Sequence, residues 1–166
     1  MISTVYQIAG GDAGALETLH HMAAIAREAA IDPLVREVAA VLAWRTGTDA
    51  GAQARRLRGW LAGRVGFLRD PIVAEAVHRP ATLIRDIAQR GRVEVDCDDV
   101  AVLAAALGMA IGLRARFVIL GRDGWEHVFT ELGDPDADDW FEFDLTRPFQ
   151  GVGAHYPRMD VLEVSP

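Results

Sequence analysis

Residues 93–120 read VEVDCDDVAVLAAALGMAIGLRARFVIL. An extended-type triplet, Val93 to Val95, leads into an acidic turn. Asp96 can then accept hydrogen bonds from the free N–H groups that open a helix. The run Val100 to Leu107 is apolar on every side, and Gly108 and Gly112 are read as the residues that end the helix. Arg116 to Leu120 is rich in strand-forming residues. A helix opening on the chain's one cysteine, followed by a strand, is the pattern that sets the fold expectation.

Downstream, Trp125–Leu132 and Trp140–Leu145 alternate with period two and flank an acidic turn at Gly133–Asp139. From Arg147 the chain reads as irregular, with Pro148, Gly151, Gly153 and Pro157, and Val161 to Val164 can add an edge strand. Upstream the texture is helical. After a short alternating start at Ile2–Gln7, an alanine-rich helix is expected over 13–30, with Leu16, Leu19, Ala23 and Ala26 near helical spacing. Asp32-Pro33 is a helix start. It opens a helix to Trp44 with Leu34, Val38, Val41 and Leu42 on one face. A third helix is expected over 52–68, carrying Arg55, Arg56, Arg58 and Arg64 on a solvated face. Asp70-Pro71 and Arg79-Pro80 punctuate two short helical pieces, the second ending near Gly91. Trp44 and Trp60 read as core or inter-helix contacts. The whole is an α+β pattern in one domain: a mainly helical part over 1–90, a core over 91–148 and an irregular tail over 149–166.

Composition narrows the function. The 166 residues include 24 acidic and 17 basic ones, for a net charge of −7, and there is no lysine and no asparagine. That balance argues against non-specific nucleic-acid binding. A single cysteine excludes an intrachain disulfide framework. No apolar run approaches the roughly 18 residues of a membrane span, and Met1–Gly14 lacks the features of a signal peptide, so a cytoplasmic location is expected. Asp134 to Asp138 imitates a calcium loop, but Asp139 and Leu145 stand where glycine and glutamate are needed. One cysteine and scattered histidines make no zinc site. No cofactor is expected.

The chemistry gathers around Cys97. Helix-start N–H groups favour a thiolate. Position alone also fits a small buried hydrophobe. Asp98 and Asp99, at about 6–7 Å, each disfavour the thiolate by about 0.7 kcal/mol in a water-like medium. An activated thiol therefore needs a histidine nearby. His127 lies in the first alternating segment and Asp144 at the end of the second. Folding the two as a hairpin centred near 136 sets 127 against about 145, beside Asp144. Nucleophile, base and orienting acid can thus meet. His20 and His21 sit in the first helix, His78 in a turn read as solvated, and His155 in a loop as the rival base.

Residues 91–148 resemble the transglutaminase-like superfamily of papain-like cysteine enzymes. The carriers are Asp96-Cys97-Asp98-Asp99 opening an alanine- and leucine-rich helix, Glu126-His127-Val128-Phe129-Thr130-Glu131, and Trp140 to Thr146, with an aspartate two residues before a threonine. The lead-in from Asp70-Pro71 through Arg79-Pro80 is similar to versions encoded by bacteriophages and prophages. The resemblance implies a cysteine-bearing helix packed on an antiparallel sheet. It implies Cys97 as nucleophile, His127 as proton shuttle and Asp144 as the holder of its ring, acting on a protein or peptide amide. Backbone N–H groups, that of Cys97 included, would meet the oxyanion; no oxyanion side chain is assigned, with Trp125 and Gln89 as candidates. It leaves three outcomes open: amide hydrolysis, acyl transfer from glutamine, and a non-catalytic assembly module among phage structural proteins, then virion-associated.

Overall fold

Helix α5 (Cys97–Ala110) is buried continuously from Asp99 to Gly108. Its sequence explains why. A helix that is apolar all round has no face to give to water and must be enclosed. Helices α1 (Asp12–Ala30), α2 (Pro33–Ala43), α3 (Ala50–Ala62) and α4 (Pro80–Arg90) pack around it, and the main sheet closes the remaining side. The computed structural model describes residues 4–6, 12–68, 75–122, 124–146 and 157–165.

The main sheet holds β5 (Arg114–Leu120), β6 (His127–Gly133), β7 (Trp140–Phe143) and β8 (Arg158–Glu163), in the order β7-β6-β5-β8, antiparallel throughout. The β6–β7 turn is closed by the Asp134 N–H donating to the Asp139 carbonyl at 3.0 Å. Two small sheets flank the helices. β1 (Thr4–Tyr6) pairs antiparallel with β3 (Glu75–Val77). β2 (Val65–Phe67) pairs parallel with β4 (Val93–Val95), which leads straight into α5. The architecture is mixed α+β.

The helix starts follow local chemistry. Asp32 accepts from the Leu34 and Val35 N–H groups at 2.8 and 3.4 Å, and Asp49 accepts from Ala52 N–H at 2.8 Å. Asp96 does the same for α5, accepting from Asp99 N–H at 3.2 Å. Gly91 ends α4 in the left-handed region at φ +78°, a conformation that costs glycine little.

Several expectations are corrected. Gly108 does not end the helix; it lies inside α5, and a Cβ there would stand 2.4 Å from Leu132 Cδ2. It is a packing residue that lets β6 approach. The third helix stops at Ala62, and residues 65–67 form a strand, because their partner 93–95 offers a ladder that propensity cannot anticipate. Residues 75–77 are strand rather than helix; the preceding residues 69–74 lie outside the described ones. The buried face of α2 is Val35 and Ala39, while Val41 and Trp44 are 67% and 73% exposed. The tail is not wholly irregular: β8 starts at Arg158, before Val161, and pairs with β5.

On the outer face of the sheet Glu131 is buried between Arg116, at 2.7 Å, and Arg158. Arg114 and Arg116 lie over the Trp140 ring. Two guanidinium groups offset the desolvation of one carboxylate and tie β5, β6 and β8 together.

Replacing Gly108 by valine should lower the stability of the fold by about 1–3 kcal/mol, since the added methyls enter a filled interface. Urea unfolding at constant m-value reads that loss.

Candidate active site

Strand β4 delivers the chain to the mouth of α5, Asp96 caps it, and Cys97 is its first residue. The Cys97 side chain is half-buried and packs against the main core. Its S–H donates to Asp98 Oδ1 at 3.4 Å. Asp99, two residues on, is 1% exposed. Its carboxylate accepts from the His78 backbone N–H at 2.6 Å and lies 2.8 Å from His78 Nδ1.

His127 opens β6 and Asp144 follows β7. His127 Nε2 lies 2.8 Å from Asp144 Oδ2, with both side chains buried. The carboxylate is acceptor-only when ionised, so Nε2 carries the proton. Asp144 is held in turn: Oδ1 accepts from Thr146 N–H at 3.0 Å, and its carbonyl accepts from Arg58 Nη2 at 3.1 Å. The Asp-x-Thr spacing thus has a physical content, a side chain that bonds the backbone two residues on. The register sets Thr130 against Phe143, so 127 falls opposite 146 and Asp144 reaches His127 diagonally. The His127 ring stacks near Phe129, at 6.1 Å between centroids.

His127 Nδ1 is buried with no hydrogen-bond partner. Nε2 faces Asp144, so Nδ1 is the ring nitrogen left to exchange a proton. Leaving such a group unmet in the interior is unfavourable by about 1–3 kcal/mol, and functional sites are where such exceptions gather.

Two contacts locate Cys97 relative to this pair. Thr130 Oγ1 donates to the Ala101 carbonyl at 2.7 Å, and Leu132 packs where Gly108 lacks a Cβ. Going from the first contact to the second advances both chains, so α5 and β6 run in the same direction. Working back from Ala101 to Cys97 covers about 6 Å of helix axis. Working back from Thr130 to His127 covers about 10 Å of strand. Along the chain directions both residues therefore lie toward the same end of the α5–β6 pair, with His127 on the face of β6 that alternates away from α5. Val128, Thr130 and Leu132 form the strand's packed face. His127 alternates with them, so its ring is fixed instead by Asp144 and by Phe129. Hydrogen bonds join two of the three predicted residues; Cys97 makes none to His127 Nδ1.

The other histidines are placed as follows. His20 and His21 lie on α1, where His21 Nε2 sits 3.8 Å from Glu17. His155 lies outside the described residues. His78 is not a solvated turn residue; Asp99 holds it, because a buried carboxylate must recruit donors. The signal for this was an acid in the first turn of a helix otherwise apolar all round. Gln89 is exposed on the last turn of α4, whereas Trp125 packs half-buried beside the core, just before His127. Arg58, which braces Asp144, had been read only as part of a solvated face.

Among the described residues no group of three or more potential ligands could hold a metal ion. No helix among them is long and apolar enough to cross a membrane. Compared with family models, with curated proteins and with solved structures, the chain gives no match.

Asp144→Ala should remove about 1–3 kcal/mol of stability, because it strips buried His127 Nε2 and the Thr146 N–H of their acceptor. Thr130→Val, which breaks one neutral hydrogen bond, should cost about 1 kcal/mol. Denaturant midpoints of the two variants provide the comparison.

Proposed function

We propose that the protein is a cysteine-dependent amide hydrolase, a peptidase or amidase with a papain-like, transglutaminase-like core, in which Cys97, His127 and Asp144 act together. The observation that carries this reading is the buried His127 ring. One nitrogen is committed to Asp144 and the other has no hydrogen-bond partner, while the chain's one cysteine opens a buried helix.

The reaction follows from those groups. His127 Nδ1 takes the Cys97 S–H proton, and the sulfur attacks the amide carbonyl carbon. The C–O π pair moves to oxygen, where helix-start N–H groups, that of Cys97 included, stabilise it. Collapse breaks the C–N bond, and the imidazolium gives its proton to the leaving amine. Water, deprotonated by the same nitrogen, then attacks the thioester carbon; collapse breaks the C–S bond and releases the acid, and the imidazolium returns its proton to the sulfur. Asp144 stabilises the imidazolium through Nε2–H and fixes its orientation. Proton transfer requires the ring to come within reach of the thiol. Catalytic hydrogen bonds often tighten only when substrate is bound.

Acyl transfer to an amine uses the same acyl-enzyme, so the triad does not separate the two reactions. A chain without lysine would be spared self-crosslinking in either case. A non-catalytic assembly module, for instance a phage structural component, has one observation in its favour. Ile31, Val41 and Trp44 are large apolar side chains left exposed in the helical part.

A mild alkylating reagent at neutral pH should label Cys97 in the folded protein, and His127→Ala should slow labelling about tenfold or more. A thiol that reacts only after denaturation would overturn the hydrolase reading and favour the assembly module. Incubation with a glutamine-bearing peptide and a primary amine should yield free acid; an amide product would instead assign acyl transfer.

A further inference from the structure

The protein holds two histidine–carboxylate pairs, and only His127–Asp144 is absorbed by the reaction above. The second is His78–Asp99. It is built from two elements far apart in sequence, the end of β3 and the first turn of α5. It is double: Asp99 Oδ1 takes the His78 backbone N–H at 2.6 Å, and Asp99 Oδ2 lies 2.8 Å from His78 Nδ1. Asp99 is 1% exposed, while the His78 side chain keeps 24% of its surface. The backbone bond alone would fasten β3 to the helix. The ring adds a titratable partner for a buried charge two residues from the thiol.

We propose that His78 is a positioning residue for the Cys97 thiol: as a histidinium it cancels the Asp99 charge and so keeps the thiolate accessible near neutral pH. This deepens the hydrolase reading and rests on it. The electrostatics run in one direction. The helix start favours a thiolate, but Asp96, Asp98 and Asp99 crowd that start with negative charge. Asp98 adds to this by accepting a hydrogen bond from the S–H group. Asp99 differs from the other two in being the most deeply enclosed. Water screens it little, so its charge, two residues from the sulfur, is felt there. A cation bonded to it removes that effect. Next to His78 in the chain, Arg79 pairs with Glu28 of α1 at 2.8 Å.

The test is the pH dependence of Cys97 alkylation in the full chain, which reads the thiol pKa whether or not the protein turns over a substrate. His78→Gln retains the backbone bond and removes the cation. It should raise the thiol pKa by about one unit, a roughly tenfold slower reaction at pH 7. Adding Asp99→Asn to His78→Gln removes the stranded charge and should return the profile to that of the parent. A purely structural pair would behave otherwise, since the double variant would be no better than the worse single one. An unchanged profile in His78→Gln, or a double variant that stays shifted, overturns the proposal. Should His78→Gln not fold, the ring can be followed in the parent by nitrogen chemical shift. It should remain a histidinium above pH 7, and a neutral ring at pH 7 overturns the proposal. Failure here leaves the His127→Ala effect standing, whereas a His78 effect without amide cleavage would sink only the hydrolase reading.

Discussion

The structure depends on the complete enclosure of one helix. With apolar side chains on every side, α5 can be stable only if helices cover one side and a sheet the other. The need propagates outward. Gly108 must lack a side chain so that Leu132 can approach, and Thr130 must hand its hydroxyl proton to a carbonyl of that helix. The burial that drives this is non-directional and large, but it leaves the polar groups at the helix start to be satisfied individually. At the mouth of α5 that requirement is met by Asp96, which accepts from Asp99 N–H, and by Asp99, which accepts from His78.

The corner has a consistent charge logic. Asp96 meets a backbone donor, Asp99 meets His78, and in the sheet Asp144 meets His127 and Thr146. Each buried carboxylate thus has a donor, as desolvation demands. The exception is on the basic side. His127 keeps one nitrogen without a partner although burial penalises it.

Much of this was legible along the chain. The helix starts at Asp32-Pro33 and Asp96 rest on the bonding of a residue to its own neighbours, and they appear where expected. The β6–β7 hairpin follows from alternation on either side of an acidic turn, which brings His127 and Asp144 within one diagonal of each other. The misreadings share a cause. The strand at residues 65–67 exists because residues 93–95 lie alongside it. Gly108 is inside a helix because Leu132 fills the space above it. Val41 and Trp44 face outward because Val35 and Ala39 turn toward α5. His78 is bound because Asp99 is enclosed. In each case the deciding neighbour is distant in sequence.

What the sequence by itself determined is therefore local: the capped start of α5 with Cys97 as its first residue, the period of its flanking strands, and the pairing of an imidazole with a carboxylate through one short turn. These rest on hydrogen bonds and periodicities that span a few residues. Tertiary structure alone decided which side chains are enclosed, which nitrogen of His127 stays open and which histidine answers Asp99. Burial and the electrostatics of buried charge depend on every element that packs around a point, and no window along the chain contains them.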